Sequence, residues 1–236
     1  MTPSRQSLLA ALLLAPLALT ACSGDDEPAA AEQTPEEVLA AAKEKLDATS
    51  GVEATLGTDE DPGTDYLSEA EGTIVADPAS FEGVIAGRVS GIPASDIDVV
   101  SVDGTVWIDV PLIGWTDEFQ PKDFCGPDPA MLLDPTAGVS GVLTAATGLE
   151  EGESARDEVD PSIVITPYTG TVPGDAIREV LPCTDADEVD ATFNVDEDGY
   201  LRTADITGSF FPDADPITYR ISIAEYDVTK DISAPK

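Results

Sequence analysis

The chain contains no histidine, and only 11 of its 236 residues are basic, against 47 acidic ones. Without histidine there is no imidazole base, no Ser/His/Asp triad and no histidine metal ligand, so most hydrolytic and metal-dependent chemistry is disfavoured. The formal net charge of -36 repels nucleic acid and anionic headgroups. It fits either a saline habitat, where salt screens the repulsion, or a simple demand for solubility. We therefore expect no enzyme, no metal, no cofactor and no nucleic-acid partner.

Long apolar runs are missing as well, apart from one near the N-terminus. Residues 8–21 read "LLAALLLAPLALTA", a run of 14 residues that is interrupted by Pro16. A helix that spans a bilayer needs roughly 20 apolar residues, so this run is too short. Arg5 precedes it, and the small residues Thr20 and Ala21 end it. This layout predicts a removable signal peptide over residues 1–21.

The first of only three cysteines, Cys22, comes directly after this run. The preceding "LTA" and Cys22 resemble the lipobox of bacterial lipoproteins, which implies a diacylglyceryl cysteine with fatty acids such as palmitate. Residues 22–33 are acidic and lack bulky apolar side chains, so they predict a lipidated flexible tether. Two or three acyl chains hold a protein stably, which predicts a protein anchored in the cell membrane on its extracytoplasmic face. The alternative is an ordinary signal peptide that happens to end near a cysteine.

The other two cysteines, Cys125 and Cys183, form an even pair in a chain that we expect to be exported. Such a pair usually forms a disulfide bond, which is our prediction; two free thiols are the alternative.

The pattern of apolar residues predicts an α+β domain. Thr34, Pro35 and Glu37 have the spacing of a capped helix start, and Gly51 follows the expected end. Alternating strand-like runs follow, with a strong hairpin signal at Asp103-Gly104, and they predict an antiparallel meander. Two more helices are expected, at about 136–147 and within 173–183, with apolar faces that need a sheet to cover.

Two motifs with catalytic or metal-binding associations are set aside. Residues 194–205 have spacings similar to those of a calcium loop, but both flanks look like strands, so an acidic hairpin turn is favoured. Residues 138–142, "GVSGV", lack the final glycine of a nucleophile elbow, and the chain has no histidine to activate Ser140. No pair of carboxylates stands out as a glycosidase dyad.

The order of elements and several strings resemble the LppX/LprAFG family of actinobacterial lipoproteins. The most specific part is residues 95–147, with the Asp-Gly hairpin, the tryptophan after it and the helical "DPAMLLDPTAGVSGVLTAAT". The weaker "VPGDAIREVLP" and the closing strands "YLRTADITG" and "ITYRISIAEYD" fall in matching order. The resemblance extends from about residue 35 to residue 228.

This resemblance implies one strongly curved antiparallel sheet, a half-barrel, with helices on its concave side that enclose an apolar cavity. We expect this lipid-binding domain over residues 34–230, a C-terminal tail over 231–236, and a monomer. The implied function is to bind acyl lipids, glycolipids or lipoglycans and carry them across the cell envelope, with a membrane lipid exporter as partner. The chain departs from the family in its acidity and in its second and third cysteines. The alternative is a structural or protein-interaction lipoprotein with a filled core and no lipid cargo.

Apolar residues that share a strand or helix face are the candidates for the cavity wall. On one predicted strand, Phe81, Ile85 and Val89 alternate with Gly83 and Gly87, which leave room where a filled core would need bulk. The full set of candidates is Phe81, Ile85, Val89, Val139, Leu143, Ile177, Ile217, Tyr219 and Ile221.

Overall fold

The computed structural model describes residues 33–118, 120–121, 126–157 and 160–236. Within these ranges, residues Gln33–Lys236 form one compact unit. The predicted signal peptide, Cys22 and Cys125 lie outside the described residues.

The first helix, α1 (Pro35–Ala48), begins where the sequence predicts. The Thr34 backbone N–H donates to the Glu37 carboxylate over 2.9 Å, and the Glu37 N–H donates to Thr34 Oγ1 over 3.3 Å. These reciprocal bonds satisfy two N–H groups that the helix leaves without partners. The buried residues of α1 are Leu39, Ala42 and Leu46, which lie on one face, so the helix packs on the core through this face.

Twelve strands form one sheet, in which every pair of neighbours is antiparallel. They are β1 (Gly51–Gly57), β2 (Tyr66–Val75), β3 (Ser80–Val89), β4 (Ile92–Val102), β5 (Thr105–Val110), β6 (Gly114–Thr116), β7 (Thr147–Glu151), β8 (Ala155–Arg156), β9 (Val164–Pro173), β10 (Glu188–Asp196), β11 (Leu201–Gly208) and β12 (Ile217–Tyr226).

The order across the sheet is β6-β5-β4-β3-β2-β1-β12-β11-β10-β9-β7, and β8 pairs with β9. The two ends of this order, β6 and β7, are not paired with each other in the described part of the chain, so the sheet is open. The single antiparallel sheet that we expected is confirmed.

Strand β1 is absent from the sequence-based prediction, although it joins the two halves of the sheet by pairing with β2 and β12. Gly51 was interpreted as the residue that ends α1, but it begins this strand. A Cβ atom at Gly51 would lie 2.6 Å from the carbonyl oxygens of Ile74 and Val228. Gly51 therefore permits a close approach of three backbone segments, which a single sequence does not reveal.

The hairpin predicted at Asp103-Gly104 is confirmed. Both residues have positive φ angles, 53° and 72°, as a two-residue turn of this type requires. The acidic turn after β10 is also a hairpin, since it joins the paired antiparallel strands β10 and β11. Within this turn, the Asp196 carboxylate accepts hydrogen bonds from the N–H groups of Asp198 and Tyr200 and from Arg202 Nε.

The other two helices, α2 (Val139–Ala145) and α3 (Gly174–Arg178), are shorter than the sequence indicates. The helix expected at about 136–147 ends at Ala145, and β7 follows at once, with Thr147 paired to Thr171 of β9. Gly148 has a φ of 63°, a conformation that a helix does not continue through. None of the described helices is both long enough and apolar enough to cross a membrane.

Candidate functional site

An apolar cavity of about 380 Å³ lies in the interior of the domain. All three helices contribute to its wall, together with strands β1 to β5 and β10 to β12. The apolar side chains that the helices supply are Leu46 from α1, Val139, Val142 and Leu143 from α2, and Ile177 from α3. The cavity volume falls within the range of about 300–1,000 Å³ that is typical of ligand pockets.

Strands that are far apart in the sheet order contribute to this one cavity. Strands β5 and β10 are seven places apart in the sheet order, yet Ile108 of β5 and Phe193 of β10 both line the same cavity. Neighbouring strands lie about 4.8 Å apart, so these two strands would be separated by about 30 Å in a flat sheet.

Few polar side chains reach the cavity wall, and among its described residues none is a carboxylate. The polar ones are Thr55, Tyr66, Arg88 and Tyr219. The Tyr219 hydroxyl donates to the Leu67 carbonyl over 2.7 Å, and burial raises the pKa of Tyr219, so its ring joins the wall as a neutral group. A wall of this kind suits an apolar ligand and leaves a charged one without partners.

The single cationic side chain among the described wall residues, Arg88, is already paired. Its two terminal nitrogens donate to the Asp61 carboxylate over 2.8 and 2.6 Å. The Arg88 hydrogen bond, together with one from the Gly63 backbone, holds the pKa of Asp61 below its usual value. This exposed pair therefore stays charged at neutral pH.

The cavity reaches the protein surface near the turn between β3 and β4. Along β3, the exposed fraction of the lining side chains rises from 3% at Phe81, through half-buried Ile85, to 40% at Val89. Pro111, after the neighbouring strand β5, is also both exposed and part of the wall. We call this region, defined by Val89 and Pro111, the cavity mouth.

The structure places eight of the nine candidate residues along the cavity wall: Phe81, Ile85, Val89, Val139, Leu143, Ile177, Tyr219 and Ile221. Ile217 is buried, with 2% of its surface exposed, but does not line the cavity. The alternation along β12 gives the correct face but not how far along the strand the cavity extends.

The free space that we expected beside Gly83 is filled. The Phe81 ring lies across this glycine, so an added Cβ atom would be 2.6 Å from Phe81 Cζ. Gly87, by contrast, lines the cavity.

The wall residues on β5 and β11 are not among the candidates from the sequence. On β5 they are Val106, Ile108 and Val110, and on β11 they include Leu201, Ala204 and Ile206. The alternation in "TVWIDV" is a signal for the first set, because every second residue is aliphatic. No comparable local signal shows that β11 and β5 contribute to the same cavity.

A cluster of hydrogen bonds around Lys43 joins α1 to the segment that contains α2. Lys43 Nζ donates to Asp47 Oδ2 over 2.7 Å, to Ser140 Oγ over 3.0 Å and to the Pro135 carbonyl over 3.1 Å. Ser140, the serine of the rejected nucleophile motif, is 2% exposed and accepts one of these bonds. Its role here is to connect two helices that line the cavity.

Replacing Lys43 with Met should lower the free energy of unfolding by about 1–3 kcal/mol, because Asp47, Ser140 and Pro135 lose a shared donor in a partly buried place. Urea denaturation measures this change. The control is Lys236→Met, which makes the same substitution at the exposed end of the chain. Equal stability of both variants would contradict a structural role for the Lys43 cluster.

Cys183 lies half-buried after α3. Its predicted partner, Cys125, is outside the described residues, so the Cys125–Cys183 pairing stays a prediction. Within the described ranges, no group of three or more His, Cys, Asp or Glu side chains is placed to hold a metal ion.

Comparison with solved structures shows the same fold in two mycobacterial lipoproteins. LprF from Mycobacterium bovis aligns with a TM-score of 0.66 and 13% identity, over 85% of this chain and 96% of LprF. Lipoprotein LppX from Mycobacterium tuberculosis aligns with a TM-score of 0.58 and 16% identity, over 83% of this chain and 98% of LppX. At these identities the likeness is one of fold alone.

Comparison by sequence gives two results. No curated protein matches the chain. The model of the LppX_LprAFG lipoprotein family matches residues 34–232, which include every helix and strand described above. The chain belongs to the LppX_LprAFG lipoprotein family.

Proposed function

We propose that this lipoprotein binds acyl lipids or acylated glycolipids in its apolar cavity and carries them across the cell envelope. The observation that carries this proposal is the cavity wall, which has no carboxylate among its described residues although the chain has 47 acidic residues. A filled core would have no such volume, and an enzyme would need polar groups that converge on a substrate.

The cavity volume suggests how much lipid the domain holds. A methylene group occupies about as much space as a water molecule, about 30 Å³ in the liquid. The volume of about 380 Å³ therefore gives room for about a dozen methylene groups or more, which is at least most of one acyl chain. Burying a dozen methylene groups is favourable by about 10 kcal/mol, which is sufficient for stable binding.

In this proposal the sheet is a half-barrel, and α1, α2 and α3 cover its concave side. The support is that one cavity receives side chains from all three helices and from strands on both halves of the sheet. The Lys43 cluster then holds α1 and α2 together as part of this cover.

Membrane attachment is the second part of the proposal. Family membership supports a lipoprotein on the extracytoplasmic face of the cell membrane, and Cys22 is the residue that we propose as the diacylglyceryl anchor. We propose that the protein acts as a monomer without catalytic activity, beside a membrane lipid exporter.

Replacing Cys22 with Ala should abolish acylation and processing, because the modified thiol is lost. The expected result is an unprocessed precursor or a soluble protein, measured by detergent-phase partition and by intact mass. A Cys22→Ala variant that still enters the detergent phase at the mature mass would show that the anchor lies elsewhere.

A fluorescent fatty-acyl probe tests binding. We expect saturable uptake by the purified protein at one probe per chain, with a blue-shifted probe emission as the probe leaves water. Absence of uptake would favour the alternative function, a structural or protein-interaction lipoprotein whose cavity stays without cargo.

A further inference from the structure

The exposed apolar side chains of the described residues are concentrated on two neighbouring hairpins. Five of the seven large ones lie there, and we call these five residues the apolar rim: Val89, Ile92, Leu112, Ile113 and Trp115. Ile92 is 68% exposed, Ile113 is 73% exposed and Leu112 is completely exposed. Single exposed apolar residues are common on protein surfaces, whereas a cluster of this kind indicates an interaction site.

The topology brings the two hairpins to one end of the sheet. Strands β3 and β5 both run antiparallel to β4, so both hairpins point toward the same end of the sheet, with Val89 paired to Ile92 and Ile108 paired to Val99. The turn after β5 is tight, since the Ile113 N–H donates to the Val110 carbonyl over 3.0 Å. Leu112 has a φ of 71°, a left-handed conformation that is uncommon for leucine, and this turn presents it to solvent.

The apolar rim is continuous with the cavity mouth. Val89 belongs to both, and Val110 and Pro111 of the cavity wall lead directly to Leu112 and Ile113. A molecule that leaves the cavity at this mouth therefore meets the apolar rim first.

The two hairpin tips also lack charge, in a chain where 25% of residues are charged. Residues 89–95, "VSGIPAS", and 110–116, "VPLIGWT", contain no acidic or basic side chain. Charged residues flank these segments at Arg88, Asp96, Asp109 and Asp117. The Asp65 carboxylate also accepts hydrogen bonds from the N–H groups of Ser90 and Gly91 at the first tip. A protein partner usually meets a surface with polar and charged groups around an apolar centre, whereas the polar side-chain groups of these two segments are three hydroxyls and one indole N–H.

We propose that the apolar rim inserts into the surface of a lipid bilayer with uncharged or zwitterionic headgroups, so that the cavity mouth opens onto the bilayer. The flanking carboxylates limit insertion to the hairpin tips, because burying them among acyl chains is unfavourable. The net charge of -36 disfavours anionic surfaces. This proposal rests on the proposed lipid-binding function in one respect: the bilayer would supply or receive the lipid that the cavity binds.

Quenching of Trp115 fluorescence by brominated lipids tests this contact. The full chain with Trp107→Phe, in which Trp115 is the remaining tryptophan, is reconstituted in phosphatidylcholine vesicles with bromines near the headgroup end of the acyl chains. Its N-terminal segment holds it there, whether through acyl chains or through its own apolar run. The test variant adds Leu112→Ser and Ile113→Ser, and the control adds Met131→Ser, at an apolar residue that is 41% exposed outside the two hairpins.

We expect strong quenching in the parent and in the Met131 control, and at least a twofold loss of quenching in the Leu112/Ile113 variant. Vesicles with anionic lipid should quench less than those with phosphatidylcholine alone. Equal quenching in all three proteins would overturn the proposal. A dimer in sedimentation experiments that the Leu112/Ile113 substitutions dissociate would also overturn it, because the occupant would then be a second copy of the chain.

Uptake of the fatty-acyl probe from solution separates this proposal from the proposed function. The Leu112/Ile113 variant should take up the probe as the parent does, since neither residue lines the cavity. Quenching without any uptake by the parent would support the membrane contact and reject lipid binding. Uptake without quenching would support lipid binding and reject the membrane contact.

Discussion

Replacing Ile85 with Trp reduces the affinity for a fatty-acyl probe by tenfold or more and leaves the melting temperature nearly unchanged. This is the expected result because Ile85 lines the cavity, between Ala70 of β2 and Ile97 of β4. A ring that displaces two methylene groups of the ligand costs about 1.6 kcal/mol of binding at about 0.8 kcal/mol each, or more than a tenfold change in affinity. Probe titration and thermal unfolding measure the two quantities.

The matched control for this substitution is Val84→Trp. Val84 is the preceding residue on β3, is 38% exposed and is not part of the cavity wall, because successive strand residues point to opposite faces. We expect Val84→Trp to change neither affinity nor melting temperature. In a filled core, Ile85→Trp would instead lower stability by about 1–3 kcal/mol. That outcome, repeated for Trp at Leu143 and Ile221, would favour the alternative function without lipid cargo.

Replacing Cys183 with Ser is expected to destabilise the domain by about 4 kcal/mol, since a disulfide from Cys125 to Cys183 closes a loop of about 60 residues. Urea denaturation of the parent, with and without reductant, and of the Cys183→Ser variant measures the change. The reduced parent and the variant should agree, and reductant should have no further effect on a Cys125→Ser/Cys183→Ser double variant.

Thiol labelling gives an independent check of the pairing. Unfolded but unreduced mature protein should show no reactive thiol from Cys125 or Cys183, whereas two reactive groups per chain would contradict the bond.

The predicted disulfide also has a consequence for the cavity. Gly126, next to Cys125, and Leu181, two residues before Cys183, both line the cavity. The bond would therefore fix two parts of the wall relative to each other and limit how far the cavity widens. We expect the Cys183→Ser variant to accept bulkier acyl probes than the parent, provided that it is studied where it remains folded.

Local chemistry made some parts of this fold predictable. The start of α1 follows from Thr34, Pro35 and Glu37, because their bonds form within one helical turn. The hairpin at Asp103-Gly104 follows from the need for two positive φ angles. These features depend on residues that are close together in the sequence, so the sequence is sufficient to predict them.

Other parts depend on contacts between distant segments and were not predictable from one sequence. Gly51 looks like a helix stop, but the approach of backbone from Ile74 and Val228 explains why it is glycine. Gly83 looks like free space, but the Phe81 ring fills it. The alternation of β12 identifies a face, yet the extent of the cavity decides that Tyr219 lines it and Ile217 does not. Periodicity gives the direction of a side chain, and only the tertiary structure gives what lies in that direction.

Native mass spectrometry of the protein, purified from a host that makes abundant acyl lipids, tests the central claim most directly. The account predicts a bound lipid at one molecule per chain, beyond the mass of the N-terminal anchor, that organic solvent removes and that Ile85→Trp reduces while Val84→Trp does not. A protein that is free of lipid from such a host, and that binds no acyl probe afterwards, would contradict it.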